Sequence, residues 1–284
     1  HQDQLALHDS GKIFNPDWLN RISGFGLHRF MDWMETNDST QDSWANRPKM
    51  GDYTYAAKGV PLEIMIYLAN LTRTNPWFNI PHKADDDYVR MFANGVFTTL
   101  DPSLTAYVEY SNEVWNWQFE QASWAEDEGR ARWGKEYAWM QLYGMRTAEV
   151  MAIFKEVYVG SEDRLITILS TQTGWQGLEL DALEAPLWRA ENTDNPMPAD
   201  VVDAYAVAGY FGRVLGTPER APMVRGWIAD SIAKAGGDPV KKYDHAIAIA
   251  AQELRDGSIS GDPADSLRDL RENTFPYQAD VANR

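Results

Sequence analysis

The stretch Thr105–Trp117, TAYVEYSNEVWNW, holds the residues of this chain best suited to do chemistry. An aromatic and β-branched run ends not in turn residues but in Ser111-Asn112-Glu113, with Trp115 and Trp117 just beyond. With side chains alternating along a strand, Tyr107, Glu109, Ser111 and Glu113 share one face, and Val108, Tyr110 and Asn112 the other. A bulge at the strand exit could re-aim the last pair. A carboxyl group turned into a crowded interior is costly unless it is hydrogen-bonded or kept neutral. Kept neutral, Glu113 could deliver a proton as a general acid. The competing reading makes Glu109 and Glu113 structural, paired with Arg29 or with loop cations.

These residues need elements to hold them, and the pattern supplies short apolar strands alternating with longer helical stretches. That alternation predicts βαβ units and a parallel sheet. The expected strands are Gly26–Trp33, Pro76–His82, Leu104–Glu113, Arg164–Thr173 and Asp203–Gly212. A long polar loop, Met34–Lys58, follows the first. Helices are expected over Gly59–Thr72, Ala84–Leu100, Trp133–Tyr158, Val240–Gly257 and Pro263–Phe275. With no repeat, linker or low-complexity segment, residues 1–284 read as a single domain. In parallel α/β folds ligand chemistry collects at the C-terminal strand ends. Those ends carry Arg29, Asp32 and Trp33, then His82, then Asn112 and Glu113, then Gln172 and Trp175, then Tyr210.

Composition narrows the partners. The 284 residues carry a formal charge of −16, which repels phosphate backbones and argues against nucleic acid. No apolar run approaches the roughly 20 residues of a membrane helix, so no membrane association is expected. The absence of cysteine excludes disulfides and thiolate chemistry. Neither a G-x-G-x-x-G nor a P-loop motif occurs, and the histidines lack metal-ligand spacing, so no cofactor and no metal are expected. The acids of Ala84–Tyr88, ADDDY, read as helix-capping groups rather than a cation site. Twelve tryptophans and thirteen tyrosines, many in polar contexts, could provide flat platforms for sugar faces as well as core.

The segment YVEYSNEVWN resembles the fourth-strand motif of the clan A glycoside hydrolases, retaining (β/α)₈ enzymes that include cellulases, mannanases and xylosidases. The resemblance implies a TIM-type barrel, incomplete in this chain, acting on a β-linked glycan. It implies Glu113 as acid/base and Asn112 as a contact to the sugar 2-hydroxyl. Arg29, His82 and Tyr210 match positions from which the clan draws further catalytic groups. Asp32, Trp33, Glu109, Trp115, Trp117, Gln172 and Trp175 are then candidates to bind substrate. Location outside the cytoplasm, extracellular or periplasmic, follows only from the substrate class.

The clan's nucleophile, a Glu ending the seventh strand, has no counterpart here. If Gly26–Trp33 is the second strand, Asp203–Gly212 is the sixth. The remainder of a longer chain is then expected to complete the barrel. Glu184, in a loop-like segment, and Glu253, on an expected solvated helix face, are poor substitutes. Two alternatives stand beside hydrolysis: a non-catalytic carbohydrate-binding relative, and a sugar-active lyase using His82 and Tyr210 as bases.

Overall fold

The computed structural model describes residues 9, 11–172, 175, 177–208 and 213–256. Two compact units are distinguished, one of His1–Ser170 with Leu180–Ala206, the other of Thr171–Glu179 with Val207–Arg284.

The chain is α/β. Strands β1 (Leu27–Arg29), β2 (Asn75–Ile80), β3 (Ala106–Tyr110), β4 (Leu165–Gln172) and β5 (Ala204–Ala208) form one sheet in the order β1-β2-β3-β4-β5. The pairs from β1 to β4 are parallel. Strands adjacent in sequence are therefore adjacent in the sheet, each joined by a helical crossover, which is consistent with part of a (β/α)₈ barrel. At the entry to β5 the Asp203 backbone N–H donates to the Thr167 carbonyl (2.9 Å), and its carboxylate accepts from the Thr167 N–H and hydroxyl.

The register sorts the chemistry by face. Arg29, Trp77 and Tyr107 stand level across β1, β2 and β3, with Asn79 and Glu109 level one step further on. The opposite face is apolar and packs on helices. Phe78 lies edge-on to Phe92 at 5.3 Å, and Tyr110 stacks on Tyr143 at 6.1 Å. Those partners belong to α3 (Asp86–Thr99) and α5 (Trp139–Val157). Helix α3 starts as its sequence dictates: Asp85 is the N-cap, its carboxylate accepting from the Tyr88 N–H, and Asp86 and Asp87 sit where the dipole favours them. Val89, Phe92, Ala93 and Val96 then fall on one buried stripe. Helix α1 (Pro16–Ile22) precedes β1, and α2 (Leu62–Thr72), after Pro61, buries Met65, Ile66 and Ala69 in the same layer. Helix α5 approaches a neighbouring backbone so closely that a Cβ on Gly144 would lie 2.0 Å from the Ala182 carbonyl oxygen.

Several expected boundaries shift. β1 ends at Arg29, because the chain turns back at once, Met34 N–H bonding to the Phe30 carbonyl. The single helix expected over Trp133–Tyr158 is preceded by another, α4 (Glu120–Trp133), which closes on Gly134 in the left-handed region. Glu184 lies not in a loop but at the end of α6 (Leu178–Glu184), with left-handed Ala185 and Pro186 opening α7 (Pro186–Glu191). A short α8 (Pro198–Val201) precedes β5. The second unit contains α9 (Ala221–Lys234) and α10 (Asp244–Asp256). Within it, Glu253 is buried against Arg220 at 3.2 Å rather than solvated, since a paired cation lowers the cost of burying its charge. The helix expected over Pro263–Phe275 lies outside the described residues.

Candidate active site

Glu109 is the hub. It is 1% exposed, in the middle of the sheet, and both carboxylate oxygens are occupied by donors. Oε2 accepts from Arg29 Nη2 (2.7 Å), Asn79 Nδ2 (2.7 Å) and Trp77 Nε1 (3.0 Å), and Oε1 from Ser170 Oγ (2.6 Å). Charge-assisted bonds of this length offset the cost of burying a carboxylate. The Arg29 guanidinium also lies 5.2 Å from the centre of the Trp77 ring, which in turn stacks on Tyr107 at 6.2 Å. Asn79 makes a second bond to the Ser111 carbonyl (2.8 Å), tying the strand exit to β2.

That exit departs from strand geometry. Ser111 has φ 59° and Glu113 φ 44°, both left-handed. Strict alternation would put Asn112 on the face opposite Glu109. Instead Arg29 Nη2 donates to Asn112 Oδ1 (2.9 Å) as well as to Glu109, so one guanidinium nitrogen holds both side chains. The correction has a local cause: the left-handed turn at Ser111 rotates the following side chain back over the sheet end.

Asn112 is clamped from its other side by the loop that follows β1. Its Nδ2 donates to Asn37 Oδ1 (2.9 Å). Gln121 Nε2 donates to the same Asn37 oxygen (2.8 Å) and to the Asn112 carbonyl (2.7 Å). Next in sequence, Asp38 reaches α4: its Oδ1 accepts from the Glu120 N–H (2.6 Å), while its own N–H donates to Gln121 Oε1 (3.0 Å). The residue at the N-cap of α4, Phe119, offers no side-chain acceptor, so Asp38 caps this helix from 82 residues away.

Glu113, half-exposed, follows directly on this clamp, and its Oε2 accepts from Asn116 Nδ2 (2.9 Å). Arg29, Glu109 and Asn112 are thus brought into one network, with Glu113 adjoining it through the chain. His82 is buried, its ring edge-on to Trp124 at 5.3 Å, with neither ring nitrogen hydrogen-bonded among the described residues. Burial, and secondarily the Lys83 charge, pushes its pKa down to about 4, so the imidazole is neutral at ordinary pH. It borders a cavity of about 850 Å³ between α3, α4 and α5, whose lining includes Asp86, Trp124, Glu128, Arg132 and Arg146.

The remaining candidates are spread out. Asp32 is exposed in the turn after β1. Trp33 stacks on Trp18 at 5.9 Å and leans on Phe30. Trp115 is buried, whereas Trp117 is exposed beside Trp139 at 5.0 Å. Gln172 ends β4 and Trp175 is exposed, both in the second compact unit. Tyr210 lies outside the described residues.

Trp77, Asn79, Ser170, Asn37 and Gln121 escaped sequence reasoning. The first three carry a signal: Asn79 is level with Glu109, and period-two alternation sets Trp77 on the face of Asn79, and Ser170 on the face of Ile168, the β4 partner of Glu109. Asn37 and Gln121 carry none, because their roles depend on how a loop and a distant helix meet. Among the described residues no cluster of His, Asp and Glu has the makings of a metal site, and no helix is long and apolar enough to cross a membrane. No family model, curated protein or solved structure matches the chain.

Proposed function

We propose that this chain is part of a retaining glycoside hydrolase of the (β/α)₈ type, cleaving a β-linked glycan outside the cytoplasm with Glu113 as general acid/base. One observation carries this reading. Asn112, fixed on both sides by Arg29 and Asn37, sits at the end of a central parallel strand, and the next residue is a half-exposed carboxyl on a left-handed backbone. An amide held still beside a carboxyl at a strand's C-terminal end is what positioning a sugar for proton transfer requires.

In this mechanism Glu113 protonates the departing glycosidic oxygen. A second carboxylate, contributed by a longer chain and about 5–5.5 Å from the Glu113 carboxyl, attacks the anomeric carbon from the opposite face. Glu113 then takes a proton from the water that releases the glycosyl intermediate. Glu109 is not that nucleophile, because donors hold both of its oxygens. Its saturation also favours the second reading, a carbohydrate-binding relative without turnover, should no second carboxylate face Glu113.

The test is Glu113→Gln in the natural protein, assayed on aryl glycosides and on unactivated oligosaccharides. Loss of the acid should lower turnover by on the order of 10²–10⁴-fold on poor leaving groups and far less on activated ones. Unchanged rates on both would eliminate the assignment. Binding of glycans by the wild type without cleavage would establish the second reading.

A further inference from the structure

We propose that Asn37 contacts the ligand of this site directly. Its carboxamide nitrogen and Arg29 Nη1 bracket Asn112 and donate hydrogen bonds to hydroxyl oxygens of a neutral sugar. The inference rests on the glycan reading above and assigns a binding role to the loop after β1.

The orientation of the Asn37 amide is fixed by its partners. Oδ1 accepts from both Asn112 Nδ2 and Gln121 Nε2, so the reversed amide would set its own N–H groups against two donors. Nδ2 must therefore point the other way, and it has no hydrogen-bond partner among the described residues. It is not sealed from solvent either, since Asn37 is half-exposed and this nitrogen is not among the buried unsatisfied atoms. Arg29 is in the same position on the far side of Asn112. Its Nε and Nη2 are used by Glu109 and Asn112, while Nη1 has no partner among the described residues, on a side chain 34% exposed. Asn112 itself is 5% exposed. The array thus presents two open donors flanking a nearly buried amide, one residue before Glu113.

Two open N–H donors suit oxygen acceptors. The charge balance selects hydroxyls over carboxylate: Glu109 neutralises Arg29, and the whole chain carries −16. A uronic acid would meet an anionic surround.

Asn37→Asp isolates the claim. It keeps the Oδ1 acceptor that holds Asn112 and Gln121, and replaces the donor with an oxygen. Calorimetric titration of β-1,4-linked gluco-, manno- and xylo-hexaoses, and of a uronate hexamer, would be run in a Glu113→Gln background to prevent cleavage. We expect Asn37→Asp to weaken binding of the preferred neutral hexaose on the order of ten-fold. Its melting temperature should stay close to that of the parent, with Asn37→Ala as the variant to use if it does not. Equal affinity in both Asn37 variants overturns the proposal while leaving the glycan reading intact. Tighter binding of the uronate overturns the neutral-sugar assignment. Failure of every hexaose to bind the parent, together with no turnover by the wild type, overturns both.

Discussion

Glu109 illustrates how a single buried charge can organise a site without performing chemistry. Four side chains from three other strands donate to it, so removing the carboxylate strands their donors in a dry interior. Glu109→Ala should cost about 3–5 kcal/mol in unfolding free energy, the range for breaking a buried ion pair from one side. Glu109→Gln should fall between the two, because one oxygen survives while its new N–H₂ faces donors. Urea unfolding with an unchanged m-value would measure this, and a cost below ~1 kcal/mol for the alanine variant would contradict the role as hub. His82, by contrast, is a buried polar residue whose ring nitrogens find no hydrogen-bond partner among the described residues.

At the scale of elements, the loop after β1 does more than connect. Asn37 and Asp38 grip α4 and the end of β3 together, and left-handed Asp38 (φ 53°) makes the reversal that lets both side chains point the same way. The first turn of α4 has no cap of its own, so its order depends on Asp38. Asp38→Ala should cost about 1 kcal/mol, the usual worth of a lost N-cap acceptor, and Asp38→Asn much less. Hydrogen exchange would show the loss as faster exchange of the Glu120 amide, with α3 unaffected. Uniform acceleration across α3 and α4 would mean that the contact is not a local cap.

For the molecule as a whole, His82 should imprint its burial on the dependence of stability on pH. Its folded pKa is pushed down to about 4 while the unfolded value is about 6.5, so between these the unfolded chain binds the extra proton. Stability from this group is complete above the unfolded pKa. It declines as pH falls from about 6.5 to about 4, by about 3 kcal/mol in total, and changes no further below that. Lys83 reinforces the depression, and the carboxylates of Glu120 and Asp38 oppose it. His82→Phe, which keeps an aromatic edge against Trp124, should flatten the acid limb of the stability curve in that window while leaving the curve near pH 8 little altered. Coincident acid limbs for the two proteins would show that His82 is solvated in the folded state.

By itself the amino-acid sequence determined the alternation of strands and helices, the capping of α3 by Asp85, and the concentration of functional residue types at strand ends. Each is set by short-range periodicity or by contacts within one turn, which a linear pattern records. The pairing of Glu109 with Arg29 was visible only as one of two alternatives. Tertiary structure alone decided which face Asn112 occupies, because a left-handed residue at Ser111 breaks the period-two rule at the point where the chemistry begins. It also decided that Asn37, Asp38 and Gln121 belong to the site, and that Glu253 is buried against Arg220. Those outcomes depend on hydrogen bonds between residues 33 to 84 positions apart, a distance over which no sequence periodicity carries information.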